Sequence, residues 1–177
     1  MGLRPARCYR NMERPYTRQS ARKPKKGYVK GVPAMKIHRF QTGPERDFGV
    51  WLKLISKRDV QIRHNALEAA RVAALKPLEK YAKDRYFLRV VPYPHHVLRE
   101  NPIATGAGAD RFQTGMRLSF GNPIGTAAQV REGQTIIEVS VPQDAVSIAK
   151  KALEIAKKKL PTTCSISIVA ASAAQLK

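Results

Sequence analysis

The chain is short of acids and cysteines, and each shortage closes off a class of function. Its 177 residues hold 13 Asp+Glu against 33 Lys+Arg, a net charge of +20 at pH 7. Two cysteines, Cys8 and Cys164, are too few for a disulfide framework and have no CxxC spacing for zinc. A reducing compartment suits them. No stretch approaches the roughly 20 apolar residues that a membrane helix needs. Met1 to Cys8 contains no apolar run, so no secretory leader is expected, and Ala6 stands where a myristoylation pattern needs Ser or Thr.

Catalytic and cofactor signatures are missing as well. Acid–base chemistry needs carboxylates gathered in a pocket. The acids here are scattered and often sit beside bases, as in Glu45-Arg46-Asp47, Arg58-Asp59, Asp84-Arg85, Arg99-Glu100 and Asp110-Arg111, which reads as solvated ion pairing. Gly106-Ala107-Gly108 lacks the Gly-Lys-Ser/Thr of a P-loop, and Arg111 stands where a dinucleotide fingerprint needs its third glycine. His95 and His96, being adjacent, would point to opposite faces of a strand and make no metal pair. With His38 and His64 they read as surface or RNA-contacting residues. No catalytic residue, cofactor or metal is expected.

What is present is positive charge, unevenly spread. Residues 1–40 hold twelve basic residues, Arg4, Arg7, Arg10, Arg14, Arg18, Arg22, Lys23, Lys25, Lys26, Lys30, Lys36 and Arg39, against one acid, Glu13. That is +11, and the remaining 137 residues contribute +9. Pro5, Pro15, Pro24 and Pro33, with Gly27 and Gly31, break regular structure in this stretch. Tyr9, Tyr16 and Tyr28 are interleaved and offer stacking surfaces for unpaired bases. We read 1–40 as an extended basic arm suited to a polyanion, with a solvated tail that phosphates order on binding as the alternative. A sequence pI near 10.5 points to nucleic acid first and an anionic membrane surface second. The prolines argue against the amphipathic helix that a membrane binder would use.

From Phe48 onwards a core pattern begins. Phe48–Ser56 reads as a strand, Ala66–Leu75 as a helix capped by Asn65, and Tyr86–Val91 as a strand stopped by Pro92. Leu67, Ala70, Ala74, Leu78 and Tyr81 keep helical spacing, and Pro77 predicts a kink or break. The order then repeats. Gln134–Val141 alternates as a half-buried strand. Pro142 suits a first helical turn, and Ala145, Ile148, Ala149, Ala152, Leu153 and Ala156 form one helical face. Lys157 to Lys159 suit its last turn, and Thr163–Val169 is another alternating strand. Strand–helix–strand twice, with short strands between, predicts a two-layer α/β (α+β) sandwich over 41–177, both helices on one face of a mixed or antiparallel sheet. Trp51 and Cys164 are expected in the core. Cys8 is expected to face RNA or to be buried.

Five of the eleven glycines fall in 106–125, and 101–110 offers almost nothing to a core. A loop of this length in a compact domain is functional or disordered. We expect a mobile loop over 101–116 that orders against a large partner. A standalone RNA enzyme using this loop as a lid would need an acid–base or metal cluster that the sequence does not offer.

Five segments together carry a resemblance: ARCYR at 6–10, GVP at 31–33, ALEAAR at 66–71, ATGAGADRFQTGMRLSFG at 104–121 and KKKLP at 157–161. They resemble the universal large-ribosomal-subunit protein sixteen family, in its archaeal and eukaryotic branch, often called ribosomal protein ten-e. The likeness spans essentially the whole chain and points to an archaeal source. Asn122 and Gln129 depart from the family pattern. The resemblance implies a two-layer α/β fold and a non-catalytic place in the cytoplasmic large subunit. It implies binding to large-subunit rRNA near the aminoacyl-tRNA site, with 5S rRNA, neighbouring ribosomal proteins and tRNA as further partners, and neither membrane nor homo-oligomer. The twelve arm residues are then expected to contact rRNA. Ala104, Thr105, Gly106, Ala107, Gly108, Ala109, Asp110 and Arg111 are expected near tRNA. A translation or assembly factor that binds RNA outside the mature ribosome is the competing reading.

Overall fold

The computed structural model describes residues 3–13, 29–111 and 113–170. Eight strands and two α-helices are assigned among them: β1 (Gln41–Thr42), β2 (Val50–Ser56), β3 (Val60–Arg63), α1 (His64–Ala82), β4 (Phe87–Val90), β5 (His96–Glu100), β6 (Asn122–Val130), β7 (Thr135–Val141), α2 (Val146–Lys157) and β8 (Cys164–Ala170). They form a five-stranded sheet in the order β1-β4-β7-β2-β8 and a three-stranded sheet in the order β3-β6-β5. Every pairing is antiparallel.

The central strand β2 alternates buried and half-buried residues along its whole length. Period two puts Val50, Leu52 and Leu54 on one face, and register aligns them with Val141, Val139 and Ile137 of β7. This face packs on the two helices, as the sequence predicts. α1 offers Leu67, Ala70, Ala74 and Leu78, and α2 offers Ala149, Ala152, Leu153 and Ala156, all fully buried. The alanines let the helices lie close to the sheet and to each other. Val60, Ile62, Ala128 and Val130 of the small sheet join the same core, and so does Ile37, fully buried although it lies in the basic N-terminal segment.

Several local expectations are corrected. The single expected sheet is two. α1 runs through Pro77 without a break; the buried Leu78 and Ala82 hold the turn beyond the proline to the core. Asn65 is not the cap, because β3 passes straight into α1 and Arg63 takes that position with no side-chain cap. Tyr81 leaves the stripe and is exposed, with Lys80 over its ring at 5.0 Å. Pro142 precedes a short 3-10 turn, Gln143–Ala145, rather than entering α2. Trp51 is no core anchor. It lies half-buried on the opposite sheet face, its indole donating to Asp47 Oδ1 at 3.0 Å and its ring edge-on to Phe87. Cys164 is buried as expected, which pushes its thiol pKa up, whereas Cys8 is exposed.

Candidate nucleic-acid interface

The outer row of the small sheet carries Gln61 and Arg63 on β3 and Gln129 on β6. The N-terminal segment lies across this row, and the contacts run through its backbone. Gln61 N–H donates to Arg10 O at 2.7 Å and Gln61 Nε2 to Tyr9 O at 2.9 Å. Gln129 Nε2 donates to Glu13 O at 2.8 Å. Arg63 lies over the Tyr9 ring at 5.4 Å. Amide donors thus hold the carbonyls of Tyr9, Arg10 and Glu13, and Arg7 and Arg10 stay exposed. Arg4 pairs with Glu100 at 2.5 Å. Lys30, Lys36 and Arg39 are exposed as well. Arg14, Arg18, Arg22, Lys23, Lys25 and Lys26, with Tyr16 and Tyr28, lie outside the described residues.

Behind this surface, His64 Nδ1 accepts the Lys36 backbone N–H at 3.1 Å. Burial first, then the charges of Arg63 and Lys36, push its pKa down. His64 is therefore a neutral structural acceptor. His96 lines a cleft between the segment and β5 and is pushed down by burial, with Glu13 opposing.

The glycine-rich loop leaves β5 and returns through β6. Its stem is clasped by Arg99, which the sequence reads only as an ion-pair partner of Glu100, whereas Glu100 pairs with Arg4. Arg99 Nε donates to Phe120 O at 2.9 Å, Nη2 donates to Gly121 O, and the guanidinium lies 3.7 Å from the Phe120 ring centroid. Gly121 has φ +70°, and a Cβ there would meet the Glu100 carbonyl at 2.5 Å. Further out, Asn101 Nδ2 donates to Gly115 O at 3.4 Å and Ala104 N–H to Gln113 Oε1 at 2.6 Å. Short 3-10 turns occupy Ala109–Arg111 and Gly115–Leu118. Ala104, Thr105, Gly106, Ala107 and Arg111 are exposed, and Gly108 and Ala109 half-buried; the Asp110 side chain lies outside the described residues. Ile103, Met116, Leu118 and Phe120 are exposed apolar residues on the same loop.

The sheet face away from the helices is a third surface. Register sets Trp51, Ser140 and Phe87 in one row and Lys53, Glu138 and Arg89 in the next. The Glu138 carboxylate is bracketed by Arg89 at 2.8 Å and Lys53 at 3.9 Å. Among the described residues no group of three His, Cys, Asp or Glu is arranged to hold a metal, and no helix is long and apolar enough to cross a membrane.

The sequence profile described as ribosomal protein L16p/L10e matches residues 16–167. The chain belongs to that family. It is 48% identical over 174 residues to the large ribosomal subunit protein uL16 of Saccharolobus solfataricus, covering 96% of this chain and 94% of that protein. It is 48% identical over 169 residues to the uL16 of Methanococcus maripaludis, covering 94% of each. The L16p/L10e match spans the small sheet, the clasped loop and both helices. It agrees with the resemblance carried by the glycine-rich segment, and both relatives are archaeal. Within this L16p/L10e chain, the roles of Gln61, Gln129 and Arg99 are what the sequence alone does not show. Their partners are backbone carbonyls distant in sequence, and carbonyls leave no sequence pattern.

Proposed function

We propose that the chain is a structural constituent of the large ribosomal subunit, anchored on large-subunit rRNA near the aminoacyl-tRNA site and doing no covalent chemistry. The observation that carries this is family membership, with near-complete coverage of relatives named for the large subunit. The surface supports it. Held carbonyls with outward arginines suit phosphate contacts, which position a protein without reading sequence. The twelve basic residues of the arm are the phosphate-binding set. The loop 104–111, built of small residues on a clasped stem, extends towards tRNA, where a thin chain enters a crowded cleft and Arg111 meets phosphate. 5S rRNA and neighbouring ribosomal proteins are further partners, and the cytoplasm is the location.

The test is retention. A tagged chain expressed in an archaeal host is followed through sucrose gradients at high salt. Co-sedimentation with large subunits is expected. Release to the top of the gradient would instead make it a transient translation or assembly factor.

A further inference from the structure

Between β4 and β5 the chain reads Val91-Pro92-Tyr93-Pro94-His95. Pro92 and Pro94 are buried, while Val91, Tyr93 and His95 are exposed. Proline fixes its own φ near −65°, so the two buried prolines hold the chain on either side of the exposed Tyr93. The Tyr93 and His95 rings lie 4.4 Å apart between centroids. Phe40 stacks on Tyr93 at 5.3 Å with an interplanar angle of 23°. The backbone at Phe40 is anchored, since its carbonyl accepts the Val90 N–H at 2.8 Å, and its ring is packed on Tyr93.

A shallow basin opens beside these rings, bounded by Arg39, Phe40, Gln41, Arg89 and Tyr93. Among the described residues its charge is of one sign. Arg39 is exposed and has no acidic partner among the described residues. The Arg89 guanidinium is oriented by Glu138 through Nε at 3.2 Å and Nη2 at 2.8 Å, yet its side chain remains 45% exposed. Among the described residues no carboxylate lines the basin.

We propose that this basin holds an unpaired RNA base against Phe40 and Tyr93, with adjoining phosphates on Arg39 and Arg89. The proposal rests on the reading that the chain binds RNA and adds a point where a single base is taken up. Aromatic faces and guanidinium groups are the chemistry that receives splayed bases and their backbone. Gln41, exposed at the rim, can donate to or accept from a base edge. Because the rings are already held, little side-chain freedom is lost on binding.

The experiment uses the full chain and archaeal large-subunit rRNA. Binding is followed across a salt series for wild type, Tyr93→Ala, Tyr93→Phe and Arg39→Ala. Stacking on aromatics is worth about 1–3 kcal/mol per base, so Tyr93→Ala should weaken binding by about 5- to 150-fold without changing the salt slope. Tyr93→Phe should bind as wild type does, and Arg39→Ala should lower the slope by about 0.7. Short-wavelength ultraviolet crosslinking of the wild-type complex in isolated large subunits provides a readout free of folding effects. A nucleotide adduct on the peptide containing Tyr93 is expected. Wild-type affinity in Tyr93→Ala overturns the basin and leaves RNA binding standing, whereas failure of the wild-type chain to bind overturns both. Adducts elsewhere but none on this peptide, or a protein crosslinked there instead, also overturn the basin.

Discussion

Arg99, near the end of β5, closes on Phe120, just before β6, by stacking on its ring at 3.7 Å and donating to its carbonyl at 2.9 Å. One side chain thereby ties together the two ends of the glycine-rich loop. The loop beyond it has small side chains over 104–109, leaves Ile103, Met116 and Leu118 exposed and, among its described residues, buries no large side chain in the core, so the stem governs its order. Hydrogen bonds from a charged donor are worth about 1.5–3 kcal/mol and a cation–π contact about 0.5–2. Partial exposure brings the sum towards the low end. Arg99→Ala should therefore raise amide exchange over 101–121 about tenfold or more, with β2 and β7 unaffected. Unchanged exchange in the loop would refute the clasp.

Gly121 makes the other half of that closure. Gly133 has a similar conformation, φ +76° against +70°, but a Cβ there meets nothing within 4 Å, whereas at Gly121 it runs into the Glu100 carbonyl. Left-handed strain alone costs about 1–2 kcal/mol for a non-glycine residue. Gly133→Ala should show that amount in urea unfolding, and Gly121→Ala should exceed it by about 1 kcal/mol or more. Equal losses would mean that the backbone at Glu100 gives way freely.

His64 gives a pH dependence of definite sign. Burial and the charges of Arg63 and Lys36 hold its folded pKa below the ordinary value. The unfolded chain then binds the proton more readily, so stability rises with pH. It is full above about 6.5 and falls as the pH drops below that towards the folded value. His96, also pushed down by burial, acts in the same direction. His64→Asn retains an oxygen to accept the Lys36 N–H but does not titrate. Its stability should decline less steeply between about pH 7 and 5, as measured by denaturant unfolding at several pH values. Parallel curves for the two proteins would exclude His64 as the cause.

The parts of the fold legible in the sequence are those with a local period. The alternation in β2 and the alanine-rich stripes of both helices are written at spacings of two and of three to four, and the structure buries most of the residues concerned, Tyr81 excepted, whereas β7, expected half-buried, is buried on both faces with Glu138 and Ser140 included. β3, β5 and β6 escaped naming because they carry glutamine, arginine and histidine on a face covered by the N-terminal segment. A buried polar row reads as surface until the segment that covers it is known. Trp51 misled for the opposite reason. A large aromatic suggests the core, but its parity along β2 puts it on the face away from the helices, beside Phe87. The Phe40–Tyr93 stack joins residues more than fifty positions apart, so only the fold brings it together.

Deleting 104–109 separates support from function in the loop. The Arg99 clasp, Gly121 and the Asn101–Gly115 bond all lie outside the deletion. The thermal midpoint and rRNA binding should stay near those of wild type, while ribosomes carrying the shortened chain translate poorly or mature slowly. If the deletion unfolds the domain, the segment is structural and its role towards tRNA falls.

The arginines of the N-terminal segment should affect binding without affecting the fold. Gln61 and Gln129 hold the carbonyls of Tyr9, Arg10 and Glu13, so the backbone path between them does not depend on what Arg7 and Arg10 carry beyond Cβ. Replacing both by alanine removes two exposed cations and leaves those bonds in place. Each lost phosphate contact should lower the slope of log affinity against log salt by about 0.7–0.9, with an unchanged unfolding midpoint. Gln61→Ala should do the reverse in part. It keeps every cation but frees the carbonyl of Tyr9, so affinity should fall at all salt concentrations through the added cost of ordering the segment, about 1–2 kcal/mol per residue fixed, with the slope preserved. If the double arginine variant kept the full slope, the phosphates would be held elsewhere and the segment would be packing alone.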